Sequence, residues 1–217
     1  MISKEDIKHL EKIFPFWLDI KQDDRAKIIL SSRVLSLKKS SIFFNSHELD
    51  GLLFLKSGKL RFFLSSLDAR ELPLYYLNNM EVEFFENFTD SSVSTILDIA
   101  FFVEKNSEIL LIPYSALNLF RNKYSIMEKF LHNLTREKFS KSLLSLQNIL
   151  LIPLKDRLLN FLYNLNKTEI LLTHEEIAKN LGSSREVISR ILKILEKENF
   201  LKINRKKIII LNRGGIL

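Results

Sequence analysis

The residues best suited to chemistry lie between Thr173 and Lys197, in the run THEEIAKNLGSSREVISRILKILEK. Thr173 with Glu176, and Ser183 with Glu186, each stand at S/T-x-x-E spacing, where a hydroxyl and a carboxylate reciprocally satisfy two otherwise orphaned backbone donors. Two helices are expected to start there. Gly182 follows the first, where a left-handed residue reverses the chain within a short turn. Ile177, Ala178, Leu181, Val187, Ile188, Ile191, Leu192 and Leu195 recur at helical spacing and form the inward faces. The small Ala178 lets the two helices approach closely, as a helix-turn-helix requires. That leaves Ser184, Arg185, Glu186, Ser189 and Arg190 on the outward side of the second helix. In a DNA major groove an Arg can pair bidentately with guanine O6 and N7, and a Glu can accept from cytosine N4. Arg185, Glu186, Ser189 and Arg190 are the expected base-reading residues.

Such a pair of helices needs a frame. Glu169 to Leu172 reads as a preceding strand, and FLKINRKKIIIL reads as two short strands around Asn204, Arg205 and Lys206, so the expected domain is a winged helix with a basic wing. Arg205, Lys206 and Lys207, with Thr173 and Ser184 at the helix starts, are the expected phosphate contacts, which position a protein on DNA without specifying sequence. Upstream, the chain has no Gly or Pro between Pro113 and Pro153, which predicts helix with one interruption near Lys123 to Ser125. Phe139, Leu143, Leu146 and Leu150 fall at steps of 4, 3 and 4 residues, the spacing of a coiled-coil seam. They are the expected homodimer interface, whereas Ile126, Phe130, Leu131 and Leu134 suit packing on the chain's own strands. From Val34 to about Pro113 short apolar runs broken by turn residues predict a many-stranded antiparallel barrel or roll. Gly58, between LLFL and LRFFL, is expected to supply the positive φ of a tight hairpin turn. Short helices lead the chain, around Ile7 to Phe14 and Asp23 to Ser31. The expected divisions are residues 1–124 for a roll with flanking helices, 125–152 for the long helix and 153–217 for the winged helix.

Composition agrees with this division. The 217 residues are 46% hydrophobic and 27% charged, with 17 Phe, which suits filled apolar cores. No apolar run reaches the ~18 residues of a membrane span and the N-terminus has no signal-peptide core, so a cytoplasmic location is expected. The chain has no Cys, which excludes disulfides, thiolate zinc sites and cysteine-held iron–sulfur clusters. Net charge is +7 and is concentrated: Pro153 to Leu217 carries 13 Lys and Arg against 7 Asp and Glu, Met1 to Ile152 20 against 19. A basic segment of that kind is the electrostatic footprint of a protein that meets a polyanion.

Taken in order, the leading helices, the strands LLFLKSGKLRFFL and EILLIP, the long helix, and the motif Glu176-Ile177-Ala178 through Leu181-Gly182 to Ser184-Arg185-Glu186 and Ser189-Arg190-Ile191-Leu192 resemble the Crp/Fnr superfamily of bacterial transcription regulators. The likeness covers nearly the whole chain. It implies an α+β fold made of an N-terminal antiparallel β-roll (a cupin-like double-stranded β-helix), a dimerisation helix and a C-terminal winged helix-turn-helix. It also implies a homodimer on a palindromic operator in double-stranded DNA, no enzymatic activity and, where the protein activates, RNA polymerase as a further partner. Arg185, Glu186 and Arg190 match the base-reading positions of the catabolite-activator branch, and Glu186, Ser189 and Arg190 those of the fumarate-and-nitrate branch.

The sensor half departs from the family. Its cyclic-nucleotide binders carry Gly-Glu and Arg-Ser or Arg-Thr pairs around the phosphate, but the corresponding residues 79–94 here hold Glu81, Glu83, Glu86 and Asp90 and no Arg or Lys. Carboxylates there would repel a phosphate. The cofactor stays unassigned: haem is left open through His9, His47 or His132, beside a hydrophobic effector or none. The competing reading is a small-molecule-binding or catalytic β-roll whose C-terminal domain mediates protein contacts.

Overall fold

The computed structural model describes residues 2–44, 49–65, 71–85, 98–204 and 207–211. The chain forms two compact units, Met1–Leu64 with Leu74–Ser142, and Ser65–Pro73 with Leu143–Leu217.

The first unit opens with helix α1 (Lys4–Ile13), whose start is fixed by a reciprocal capping box between Ser3 and Asp6. A single 3-10 turn (Trp17–Asp19) leads to α2 (Gln22–Ser31). Among the described residues six strands follow: β1 (Arg33–Leu37), β2 (Ile42–Phe44), β3 (Gly51–Ser65), β4 (Glu71–Asn78), β5 (Val82–Phe85) and β6 (Asp98–Pro113). They form one sheet in the order β1-β6-β3-β4, with β2 also on β6 and β5 also on β3. The β1–β6, β2–β6 and β3–β5 pairs are antiparallel.

The continuous apolar runs of β3 and β6 have a physical reason, since both faces of these strands are buried. Side chains alternate across a strand. Leu52, Phe54, Leu110 and Ile112 therefore join a core with α1, α2 and the following helices, while Leu53, Leu55, Ile109 and Leu111 point into a second core with Phe62, Leu77 and Phe101. Gly58 differs from expectation. It lies inside the unbroken β3 rather than at a hairpin turn, and its φ of 113° goes with a close approach in which an added Cβ would lie 2.0 Å from the Ser107 hydroxyl. Glycine is needed there for space as well as for backbone freedom.

Two helices follow β6, α3 (Tyr114–Arg121) and α4 (Ser125–Leu151), separated where the interruption was expected. Met127 and Leu131 of α4 are buried and Phe130 and Leu134 pack beside them, Phe130 meeting Phe14 and Phe16 edge-on. Ile126, by contrast, is exposed. Further along α4, Lys138 is buried with its Nζ 3.3 Å from Glu83 of β5.

The second unit contains the end of α4, then α5 (Leu154–Asn164), β7 (Glu169–Ile170), α6 (His174–Leu181), α7 (Arg185–Lys197), β8 (Leu201–Asn204) and β9 (Lys207–Ile210). The three strands form an antiparallel sheet in the order β7-β9-β8. Leu158, Leu162, Ile177, Leu181, Ile188, Leu192 and Leu195 share one core with the sheet's Ile170, Leu201 and Ile208. Among the described residues no helix is long and apolar enough to cross a membrane.

Candidate nucleic-acid interface

Local chemistry sets both helices of the motif. At α6, the Glu176 carboxylate accepts from the Thr173 N–H at 2.7 Å while the Thr173 hydroxyl accepts from the Glu176 N–H at 3.1 Å, the reciprocal box expected from the spacing. The helix ends at Gly182, left-handed at φ 62° and ψ 44°. Arg157 of α5 adds a clasp that the sequence did not reveal, donating from Nη1 to the Leu181 carbonyl at 2.9 Å and from Nε to the Ile152 carbonyl at 3.2 Å.

At α7 the second capping box does not form as expected. The cap is Ser184, one residue later than Ser183, and its hydroxyl accepts from the Val187 N–H at 3.3 Å. Ser183 instead donates its backbone N–H to the Ala178 carbonyl at 3.0 Å, closing the turn after Gly182. This shift by one residue frees the Glu186 carboxylate from the role of box partner to Ser183. Hydrogen bonds from its own backbone and from Ser184, with the guanidinium groups of Arg185 and Arg190, hold its pKa below the usual carboxylate range. Glu186 is thus an ionised acceptor at neutral pH.

The outward face of α7 carries Arg185, Glu186 and Arg190, all exposed, with Ser189 half-buried among them. Val187 was expected to face inward, yet it is 37% exposed and adds a branched methyl surface to this face, a group type that can touch a thymine methyl. Beside the helix start, Thr173, His174, Glu175, Arg185, Asn204 and Lys207 line an open cleft of about 490 Å³ between α6, α7 and the wing. Lys207 is held there by Glu169 at 2.8 Å, and Ser184 is exposed at the start of α7. Arg205 and Lys206, the other expected phosphate contacts, lie outside the described residues.

His174 is the residue that sequence reasoning missed. Its Nδ1 stands 2.8 Å from the Ser189 hydroxyl, and burial together with Arg185 lowers its pKa. The signal was weak: a His next to a cap residue, fifteen positions before a Ser.

The remaining candidates are scattered. Phe139, Leu143 and Leu150 of α4 are 62%, 49% and 78% exposed, and Leu146 is half-buried. His9 lies tilted against Phe54, with ring centroids 5.0 Å apart and planes at 42°; His132 is exposed on α4; His47 lies outside the described residues. Glu81 hydrogen-bonds back to Asn78 at the β4–β5 turn, and Glu83 is buried in the roll. Glu86 and Asp90 lie outside the described residues.

Residues 156–216 match the family model of the Crp-like helix-turn-helix domain. A protein of Eubacterium rectale described as a transcriptional regulator of the Crp/Fnr family is 29% identical in sequence, with a TM-score of 0.83 over 93% of this chain and 95% of the other. This chain is a regulator of the Crp/Fnr type. The fold alone is shared with the c-di-GMP-responsive regulator CLP of Xanthomonas campestris (19% identity, TM-score 0.68, 88% of this chain and 100% of that one). The same holds for FixK2 of Bradyrhizobium japonicum (16% identity, TM-score 0.59, 84% and 93%). No curated protein matched the sequence. The matched Crp-like helix-turn-helix domain contains both α6 and α7.

Proposed function

We propose that this Crp/Fnr-type regulator binds a palindromic operator as a homodimer, in the cytoplasm and without catalysis, under an effector that is neither a cyclic nucleotide nor an iron–sulfur cluster. The observation that carries the reading is the exposed face of α7, where Arg185, Glu186 and Arg190 stand together beside a cleft lined by Lys207 and Thr173. Two of these side chains are fork-shaped donors for guanine and one is an ionised acceptor for cytosine. Thr173, Ser184 and Lys207, with Arg205 and Lys206 from the same basic run, are the phosphate anchors of this reading.

Dimerisation is supported by Phe139, Leu143, Leu146 and Leu150, which follow one stripe of α4 and leave a seam of apolar surface open to water. The effector reading is supported in the roll. Among the described residues, the buried cations of the roll and the helix against it are already engaged, Arg61 with Glu104 at 2.9 Å and Lys138 of α4 with Glu83 at 3.3 Å. A cyclic phosphate drawn to either cation would have to break its existing pair.

The test is a binding selection on randomised duplexes at fixed salt, followed by calorimetry with cyclic AMP and cyclic GMP. A two-fold symmetric consensus with half-sites about one helical turn, roughly 10–10.5 bp, apart is expected. An asymmetric or absent consensus would overturn the operator reading, and saturable submillimolar nucleotide binding would overturn the effector reading.

A further inference from the structure

The Ser189 hydroxyl has two partners. Its oxygen lies 2.8 Å from the Arg185 carbonyl, one helical turn earlier, and 2.8 Å from His174 Nδ1. A carbonyl can only accept, so the single hydroxyl hydrogen lies on the line to Arg185; two oxygens at that separation with no hydrogen between them would repel. The contact with His174 must then run the other way, with Nδ1 carrying a hydrogen and donating it to the serine oxygen. Burial and the neighbouring Arg185 keep the imidazole in its neutral form at physiological pH, which makes it the Nδ1–H tautomer.

One lone pair of Ser189 remains. An unrestrained serine rotates its hydroxyl to donate or accept and so reads bases with little discrimination. We infer that His174 is a positioning residue for base recognition: by occupying one lone pair of Ser189 while Arg185 takes its hydrogen, it leaves Ser189 able only to accept, and so selects an amino-bearing base, adenine or cytosine, where Ser189 meets DNA. The inference rests on the proposed reading face of α7. It adds a chemical reason why a residue of α6 sets the specificity of its neighbour helix.

The test is the same selection on randomised half-sites at fixed pH and salt, run with the wild type and with Ser189→Ala, His174→Ala, His174→Asn and Arg190→Ala. Base preference is a ratio within one protein, so it does not move with the fraction folded. The wild type should favour adenine or cytosine at one position by about fivefold, the factor carried by one ordinary hydrogen bond. Ser189→Ala and His174→Ala should each remove that preference at the same position. His174→Asn, which returns an N–H donor, should restore it. Retention of the preference in His174→Ala, or failure of His174→Asn to restore it, overturns the inference. If Ser189→Ala changes no position while Arg190→Ala does, the inference falls and the reading face stands. If neither changes any position, the reading face itself is wrong.

Discussion

On the proposed reading, Arg190 and Lys206 would hold DNA in two different ways. Arg190 lies five residues beyond Arg185, roughly 140° around the helix, so the two can reach different base pairs in one groove. Replacing Arg190 by Ala should cost about 1–3 kcal/mol per half-site and relax preference at one base position. Replacing Lys206 by Ala should weaken all sequences alike and reduce the salt slope by about one. A uniform loss of affinity from Arg190→Ala, with preference intact, would make it a phosphate contact. Glu83 sets a different test, in the roll. Burial outweighs the ammonium of Lys138 and pushes its pKa up from the usual carboxylate range to about 7. A raised carboxyl pKa means that its stabilisation is complete below about pH 4.5 and is lost as pH rises through about 7. Wild-type stability should therefore fall by roughly 3 kcal/mol more than that of Glu83→Gln between pH 4.5 and 8. Denaturant titrations of the two proteins at both pH values check this, and parallel pH profiles would refute it. Neither Glu83 nor its partner could be paired from the sequence, because 55 residues separate them and burial is a property of the packed roll.

At the scale of elements, the caps show what spacing can and cannot decide. The box at Thr173 and Glu176 was legible because only one hydroxyl residue stands at that start. At α7 two adjacent serines compete, and a spacing rule cannot choose between them. The structure chooses Ser184, since Ser183 is needed to close the turn behind Gly182. Thermal or denaturant unfolding should find that Ser184→Ala costs about 1 kcal/mol and that Ser183→Ala costs much less. The reverse order would restore the earlier cap. Val187 fails as a core residue for a related reason. The inward stripe of α7 is made by Ile188, Leu192 and Leu195, with Ile191 at its edge, and a residue one place before Ile188 lies about 100° away from it. Gly58 was legible as a position of special backbone, but the neighbour that demands it, Ser107, comes from a strand 49 residues later.

For the whole molecule, the sequence already displayed the order of parts, because strands buried on both faces, a helix without Gly or Pro and a doubly capped basic motif each leave a periodic or compositional trace. What such traces cannot show is which apolar stripe of α4 has a partner within the chain. Its first half is spoken for, with Met127 and Leu131 buried and Phe130 and Leu134 packed against the same core. The stripe from Phe139 to Leu150 meets water in a single chain, and in the proposed dimer the 13 Lys and Arg of the last 65 residues would give two copies two basic surfaces for one duplex. Joining two half-site binders makes the second binding event intramolecular, which raises affinity by about 10²–10⁴ without any new contact. Replacing Leu143 and Leu146 together by Glu should place like charges across the seam and give monomers. Those monomers should bind a single half-site as the wild-type subunit does, because α6 and α7 are untouched, and lose most of the gain on a full operator. Light scattering reports the first effect, and a comparison of half-site with full-site affinity reports the second. An unchanged dimer would mean that the partner surface lies elsewhere, whereas a monomer that kept full-site affinity would mean that the two half-sites never depended on the seam.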